Sequence, residues 1–500
     1  MTPLDTLKER LADVRNLGSA GALLGWDQQT NMPSGAGESR ARQLGTLAKL
    51  THAMFVAEET GSLLGEAEKM LNGADYDSDD ASLIRVTKRD YENERKLPSA
   101  FVAEMTALTS HAHEVWAKAR AAKDFSAFAP TLEQVIAMKR READYRGFTD
   151  HPYDALLDVY EPGVKAADVA AMFDGLRQEI VPLVAAIRAK ADKVSDAVLH
   201  QAYDEDKQRD FAEMVVATFG YDFTRGRQDR AVHPFCTSFS CNDVRITTRY
   251  DANWLNPALF GTLHEAGHGM YEQGSAQALD PYGLGGGTSL GVHESQSRLW
   301  ENVVGRSRGF WAHFYPQLQA AFPEQLGTVA LDTFYHAVNK VEPSFIRVEA
   351  DEVTYNLHIM VRFELEMALL TGALKVADLP IAWNKKYQDY LGITPPDDAL
   401  GVLQDIHWSA GLFGYFPTYS MGNLLSVQLY EAARAAHPTI PTEIAAGKFD
   451  TLRGWMAEHL YRHGRKFEPK ELIQRATGEA MNARAYVAYL KDKYSAIYGV

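Results

Sequence analysis

Residues 255–270 read Leu-Asn-Pro-Ala-Leu-Phe-Gly-Thr-Leu-His-Glu-Ala-Gly-His-Gly-Met, and this stretch predicts a helix. The Asn256-Pro257 pair is typical of a helix start, because proline is tolerated in the first turn. Apolar residues recur near helical spacing at Leu255, Leu259, Leu263 and Met270. His264 and His268 are therefore expected one helical turn apart on the same face.

Two imidazoles in this arrangement can hold one zinc ion, with each nitrogen about 2.0–2.1 Å from the metal. A catalytic zinc keeps three protein ligands and one position for water, and Glu265, between the histidines, is placed to act as a base. The pattern therefore predicts His264 and His268 as metal ligands and Glu265 as the catalytic residue. The alternative is a surface helix whose two histidines merely titrate.

The third ligand is expected in the segment Gly291–Arg298, which starts another predicted helix. Glu294 lies 26 residues after His268 (268 to 294), enough chain for one helix to end, the Gly283–Gly287 loop to turn and a second helix to return. Two histidines and one carboxylate form a known catalytic zinc set. We therefore predict Glu294 as the third ligand and keep His293 as its rival.

Six separated motifs resemble those of the carboxypeptidase Taq family, a thermostable-carboxypeptidase type of zinc metallocarboxypeptidase, in the same order along the chain. The resemblance implies a mostly α-helical, two-lobed body with a deep central groove, a homodimer, and peptide substrates with a free C-terminus. The motifs are His233-Pro234-Phe235, Asp243-Val244-Arg245-Ile246-Thr247, His264–His268, His293-Glu294-Ser295-Gln296, Ile346-Arg347 with Ala350-Asp351, and Gln404-Asp405-Ile406-His407-Trp408. Trp26-Asp27 and Met32-Pro33 also fit the family.

Composition limits the alternatives independently of this resemblance. The 500 residues are 46% hydrophobic and contain no linker, repeat or low-complexity stretch, so we expect a single catalytic domain over residues 1–500. A net charge of −15 without a lysine-rich stripe argues against nucleic-acid binding. The first thirty residues carry no unbroken apolar region, and no segment is long enough to span a bilayer.

Only two cysteines occur, Cys236 and Cys241, which excludes a disulfide framework and indicates a reducing compartment, the cytoplasm. Their closeness to the predicted site suggests a metal or redox role, but two buried thiols are the more common case.

Periodicity predicts a largely helical chain and one strand. In residues 243–250, Val244 and Ile246 alternate with polar residues, the period of a half-buried strand near the active site. That strand either pairs with an extended peptide substrate or belongs to a small structural sheet. Helical spacing extends over Thr2–Leu17, Glu38–Glu58, Asp80–Arg95, Ser99–Ala122, Phe128–Tyr145 and Ala166–Lys193.

The predicted chemistry is amide hydrolysis, with a divalent ion activating water and Glu265 transferring its proton. Zn²⁺ is the expected ion, although Co²⁺ or another divalent metal suits the same ligands. The function predicted is a metallocarboxypeptidase. The alternatives are a closed-cleft zinc oligopeptidase that cuts internal bonds, and a non-catalytic helical scaffold with a structural metal.

An exopeptidase needs a fixed cation for the terminal carboxylate of its substrate, and a guanidinium binds it in a bidentate manner. Arg347 is the leading candidate, since the family motif that it matches is implicated in this binding. Arg245 and Arg298 are the next candidates for binding the terminal carboxylate. Arg347 is alternatively an internal ion-pair partner of nearby acids, namely Glu349, Asp351 and Glu352.

A donor beside the metal would stabilise the oxyanion of the transition state. The candidates are His233, Tyr415, Tyr419 and His407, and the resemblance slightly favours Tyr419. For each of them the alternative is a structural hydrogen bond or packing in the core rather than a part in catalysis. Ligand histidines also need a partner for the other ring nitrogen, for which Glu301, Asp351 and Asp405 are candidates. Arg298 stands where thermolysin-like sites often carry an aspartate.

Overall fold

The computed structural model describes residues 1–500 and contains 21 α-helices and one three-stranded sheet. The prediction of a mostly α-helical protein with a small sheet is confirmed. None of the helices combines the length and the apolar character that a membrane crossing requires. Packing groups the chain into two compact units, each assembled from three separate stretches. The single catalytic domain over residues 1–500 stays a prediction.

The first unit comprises residues 1–95, 196–338 and 426–480. Its aromatic core includes Phe219, whose ring lies 4.7 Å from those of Trp300 and Phe449. Its helices are α1 (Pro3–Thr30), α2 (Gly37–Phe55), α3 (Glu58–Met70), α4 (Asp79–Arg95), α9 (Glu205–Phe219), α10 (Asn256–Gln273), α11 (Leu290–Arg298), α12 (Arg308–Ala321), α13 (Pro323–Leu326), α14 (Leu331–Val338), α18 (Ile440–Ala445), α19 (Asp450–His459) and α20 (Pro469–Thr477).

The second unit comprises residues 96–195, 339–425 and 481–500. Its core includes the fully buried Trp383, stacked on Tyr387 at 5.2 Å. Its helices are α5 (Ser99–Ala122), α6 (Ala129–Arg146), α7 (Pro152–Leu157), α8 (Ala166–Arg188), α15 (Tyr355–Thr371), α16 (Leu379–Leu391) and α21 (Arg484–Tyr498), while α17 (Pro417–Ala436) begins in this unit and ends in the first.

All six predicted helical segments are present, and three of them end more than one residue from the predicted end. The first helix runs on from Leu17 to Thr30, because its packing on α2 and α3 outweighs the roughly 1 kcal/mol that each glycine in this stretch costs. The segment Glu38–Glu58 divides where extended backbone at Ala57 (ψ 149°) precedes α3. Helix α8 stops at Arg188 and is followed by a 3₁₀ turn that reaches Lys193.

The sheet has the order β1-β3-β2, formed by Gln228–Arg230, Asp243–Thr248 and Cys236–Ser240 respectively. Strand β1 pairs with β3 in parallel and β2 pairs with it in antiparallel fashion. Val244 and Ile246 are fully buried, as the alternation predicts. Strand β3 is the central strand, with β2 paired along residues 243–246 and β1 along residues 246–248. This arrangement favours the interpretation of a small structural sheet over pairing with a peptide substrate.

Helix α10 lies between the sheet and α11, and three of its glycines allow this close packing. A Cβ atom at Gly269 would lie 2.7 Å from the Tyr221 ring, and one at Gly261 would lie 3.2 Å from the Thr248 hydroxyl. A Cβ atom at Gly267 would lie 2.5 Å from the backbone oxygen of Gln296. The glycine inside the His264–His268 motif therefore lets the backbone of α11 lie directly against α10.

Candidate metal centre

The two histidines of α10 and the glutamate of α11 converge on one point. The Nε2 atoms of His264 and His268 lie 3.7 and 3.5 Å from the same Oε2 atom of Glu294. One donor atom from each residue lies within 4.8 Å of the other two. The fold thus brings the three predicted ligands together within the first unit.

These three side chains fit a divalent cation. Donor atoms bound at 2.0–2.1 Å to a tetrahedral zinc lie about 3.3–3.4 Å apart, close to the spacing that already separates Glu294 from the two imidazoles. Two neutral imidazoles and a carboxylate are also a donor set that catalytic zinc sites use. The two distances from Glu294 to the imidazoles would shorten by only a few tenths of an ångström on binding such an ion.

The remaining polar atom of each ligand has a partner of its own. His264 Nδ1 lies 2.9 Å from Glu301 Oε2, and His268 Nδ1 lies 2.6 Å from His293 Nδ1. The Nε atom of Arg298 donates to Glu294 Oε1 over 2.7 Å. Since these outer atoms are engaged, the two Nε2 atoms and Oε2 are the donors left to face a cation.

The charges of His268 and Glu294 suit this role. Burial and the nearby imidazoles His264 and His293 lower the pKa of His268 to about 4, so its ring is neutral at pH 7. Burial alone would raise the pKa of Glu294, but Arg298 and the two ligand imidazoles outweigh it and hold that pKa below its usual range. Glu294 is therefore an anion, as a metal ligand must be.

Glu265 lies beside the three ligands with only 6% of its surface exposed. Burial, reinforced by the charges of Glu294 and Glu301, raises its pKa to about 7, although His264 opposes the shift. A carboxyl group with a pKa near the working pH can both accept and release a proton. This environment matches the role of general base that the motif predicts.

Glu301 reaches His264 because the chain forms a π-helical turn over Leu299–Val304, directly after α11. Such turns shift the direction of side chains and are frequent at functional sites. Arg298 also donates to Glu301 over 3.2 Å, and the pKa of Glu301 is lowered to about 2 despite its burial. Of the three acids considered as histidine partners, Glu301 is the one that contacts a predicted ligand.

His293, the rival third ligand, lies behind His268 rather than beside the converging donors. Its Nδ1 faces His268 Nδ1, and its Nε2 lies 2.8 Å from Glu272 Oε1. The sequence interpretation did not include Glu272. The available signal was its position, since His264, His268 and Glu272 recur every four residues along α10.

Arg347 belongs to a buried cluster in the second unit. Its guanidinium lies 2.9 Å from Asp405 Oδ1 and donates to the Tyr355 hydroxyl over 3.0 Å. Arg362 holds the other oxygen of Asp405 at 2.7 Å. Two guanidiniums thus share one carboxylate, which leaves one positive charge that Asp405 does not offset.

Two of the three nearby acids considered as partners of Arg347, Asp351 and Glu352, are engaged elsewhere. Asp351 accepts hydrogen bonds from Thr354 and from the backbone of Val353 and Glu342. Glu352 pairs with Lys493 at 2.7 Å. Arg347 therefore forms an internal ion pair, as the alternative predicted, but its partner is Asp405 and not an acid close to it in sequence. Contacts between residues distant in sequence are set by tertiary packing.

His407, Tyr415 and Tyr419 lie together in the same unit as Arg347. His407 Nε2 is 3.3 Å from the Tyr419 hydroxyl, and the rings of His407 and Tyr415 are 5.5 Å apart. The guanidinium of Arg347 lies 5.0 Å from the Tyr419 ring centroid. His407 Nδ1 is buried without a hydrogen-bond partner. Tyr419 thus lies against the arginine that carries the surplus positive charge, with His407 and Tyr415 next to Tyr419, and the roles of all three stay predictions.

Three other predicted residues lie in the first unit. His233 is exposed in the loop between β1 and β2. Arg245 forms two hydrogen bonds to Asp243 and stacks on the Trp26 ring at 4.3 Å. Arg298 is occupied by Glu294 and Glu301. Arg245 and Arg298, the two further candidates for binding the terminal carboxylate, therefore already have carboxylate partners within their own unit.

The two cysteines are free thiols, Cys241 buried and Cys236 half-buried. Burial raises the pKa of both thiols above their usual value. Thiols are poor nucleophiles and ligands in that state, which favours the interpretation of Cys236 and Cys241 as buried structural thiols.

Comparisons with known proteins show which family the chain belongs to. The family model described as carboxypeptidase Taq (M32) metallopeptidase matches residues 6–494. Thermostable carboxypeptidase 1 of Thermus thermophilus is 43% identical, with 100% of both chains covered. Carboxypeptidase 1 of Bacillus subtilis is 40% identical over 98% of this chain and 97% of that protein. The crystal structure of the M32 carboxypeptidase from Deinococcus radiodurans superposes with a TM-score of 0.95 at 43% identity, covering 100% of both chains. The chain belongs to the carboxypeptidase Taq (M32) family of metallopeptidases.

Proposed function

We propose that the protein removes C-terminal residues from peptides by metal-dependent hydrolysis, with His264, His268 and Glu294 as the metal ligands. The observation that supports this most is the convergence of two Nε2 atoms and one Oε2 atom beside a buried glutamate. A bound divalent ion would supply Lewis-acid activation of water and of the scissile carbonyl. Zn²⁺ is the ion proposed, with Co²⁺ or another divalent metal as a replacement.

Glu265 acts first as base and then as acid in this proposal. It takes a proton from the water whose oxygen forms a bond to the scissile carbon. It then passes that proton to the nitrogen as the carbon–nitrogen bond breaks, so that an acid and an amine are released. The buried position of Glu265 supports this role, because it brings the pKa of the carboxyl close to neutrality.

The specificity for a free C-terminus is assigned to Arg347. The surplus positive charge that it shares with Arg362 around Asp405 supports binding of an anionic group. Tyr419 and His407 lie against this arginine cluster and are proposed to contact the substrate as well. His233 and Arg245 remain candidates for binding other parts of the peptide. We further propose a homodimer in the cytoplasm, on the basis of the family resemblance and of the two free thiols.

Product mapping tests the reaction class. An unstructured peptide incubated with the protein should yield a ladder of products shortened only from the C-terminus. Chelator should abolish the ladder, and Zn²⁺ or Co²⁺ should restore it. The control is the same peptide with a blocked C-terminus, which a carboxypeptidase leaves intact. Internal fragments from the blocked peptide would instead identify an oligopeptidase, and no cleavage of either peptide would leave the scaffold interpretation.

Arg347→Met tests the terminal-carboxylate site. Since hydrogen bonds to a charged group contribute about 1.5–3 kcal/mol, the variant should lose roughly 10- to 150-fold in kcat/KM on free-acid peptides. Activity on the corresponding C-terminal amides should change little. The control is Arg245→Met, which should keep the parent's discrimination. If Arg347→Met discriminates as well as the parent, Arg347 does not bind the carboxylate, and loss of discrimination in Arg245→Met would transfer the role to Arg245.

A further inference from the structure

We propose that Glu272 and His293 form a hydrogen-bond relay that holds His268 in the tautomer that presents Nε2 to the metal. The inference rests on the proposed metal site and adds two positioning residues to it. Neither residue is among the converging donors. Both act on the metal through His268.

The direction of each hydrogen bond follows from the chemistry of Glu272. An ionised carboxylate can only accept, so the 2.8 Å contact with Glu272 Oε1 places a proton on His293 Nε2. The His293 tautomer with its proton on Nε2 has a lone pair on Nδ1, which accepts from the Nδ1–H group of His268 over 2.6 Å. His268 Nε2 therefore keeps its lone pair, and this atom faces Glu294 at 3.5 Å.

The two ligand histidines are supported differently. Metal-bound histidines usually donate their other N–H directly to a carboxylate, a carbonyl or water, and His264 follows this rule with Glu301. His268 has an imidazole in that position, and the carboxylate follows one step later. Glu272 lies one helical turn beyond His268 on the same face of α10, and His293 from α11 connects the two.

Close packing restrains the relay. A Cβ atom at Gly287 would lie 2.6 Å from His293 Cδ2, so this loop position lies directly against the imidazole. At Gly286, where φ is +84°, a Cβ atom would lie 3.1 Å from Glu272 Oε1. The rings of Tyr271 and His268 lie 5.1 and 4.6 Å from that of His293. The glycine-rich loop between the two ligand helices thus covers both relay residues.

The relay predicts a defined pattern of metal affinities. Loss of the outer partner of a ligand histidine typically lowers metal affinity 10- to 100-fold, and His293→Leu should fall in this range. Glu272→Leu should also lower the affinity for the metal. His293→Asn should lose less, because its side-chain oxygen can take the place of Nδ1 as acceptor. The double variant Glu272→Leu/His293→Leu should bind no more weakly than His293→Leu alone, since Glu272 acts only through His293.

Competition titration of Zn²⁺ against a chromophoric chelator measures these affinities in the full-length protein. The control for loss of a buried polar side chain on the same helix is Gln273→Leu, which should keep the parent's affinity. Parent-like affinity in both single variants, or additive losses in the double variant, would overturn the relay alone. A parent protein that binds no divalent ion would overturn the metal site and the relay with it.

A spectroscopic signature separates positioning from general destabilisation. In the Zn²⁺-loaded parent, ¹H–¹⁵N correlation spectra of histidine-labelled protein should show a protonated Nδ1 at His268 with a strongly downfield proton. Glu272→Leu should remove or shift this signal without touching His268 directly. An unchanged signal in Glu272→Leu would show that the tautomer of His268 does not depend on Glu272, and the proposal would then be wrong.

Discussion

Glu265→Gln should lower kcat by roughly 10²- to 10⁴-fold while the protein keeps its full metal content, because general acid–base catalysis contributes a factor of that size. The substitution preserves the shape of the side chain and removes its ability to accept a proton. Glu265 lies beside the converging donors but is not one of them, so metal binding should survive. Steady-state kinetics together with metal analysis of the same sample give both quantities.

A half-buried glutamate on a neighbouring helix provides the control for this substitution. Glu213 on α9 has a pKa that burial also raises, yet it has no part in the proposed chemistry. Glu213→Gln should therefore turn over substrate at the parent's rate. Near-parent kcat in Glu265→Gln would remove Glu265 from the mechanism, and loss of metal from that variant would make it a structural part of the site.

Glu294→Ala should have the second large effect, a loss of more than about 100-fold in the affinity for Zn²⁺, with activity lost at the same metal concentration. Removing a direct ligand should cost more than the 10- to 100-fold typical of a supporting partner. The matched comparison is Glu301→Gln, which disturbs a partner of His264 and keeps all three donors. Chelator competition measures both variants, and thermal unfolding of the metal-free proteins checks their fold.

Glu294→Ala should lose more affinity for Zn²⁺ than Glu301→Gln does. If Glu294→Ala binds Zn²⁺ as tightly as Glu301→Gln or the parent, Glu294 is not a ligand. His293 would then become the leading candidate for the third position, since it is the other imidazole in contact with His268.

Much of this site could be predicted because its residues lie close together in the sequence. His264 and His268 share a face of one helix, a consequence of helical geometry alone. Glu294 required a second helix to return to the first, and the glycine-rich loop made that return plausible. The backbone approach at Gly267 that brings α11 against α10 could not be derived from the motif, since it depends on tertiary packing.

Contacts that depend on packing across long sequence separations were predicted less well. The partner of Arg347 is Asp405, 58 residues away, rather than the acids close to it in sequence. The alternation in β3 correctly predicted a half-buried strand, but its central place in the sheet depends on β1 and β2, which carry no comparable pattern. Glu272 was missed because one more acid on a helix becomes informative only when His293 is seen between it and His268.

The most direct measurement is anomalous diffraction from crystals of the protein loaded with Zn²⁺, with data collected on both sides of the zinc absorption edge. We expect one strong peak within about 2.0–2.2 Å of His264 Nε2, His268 Nε2 and Glu294 Oε2, the range that zinc adopts with these donors. A peak that His293 ligates in place of Glu294, or no peak between the two helices, would contradict it.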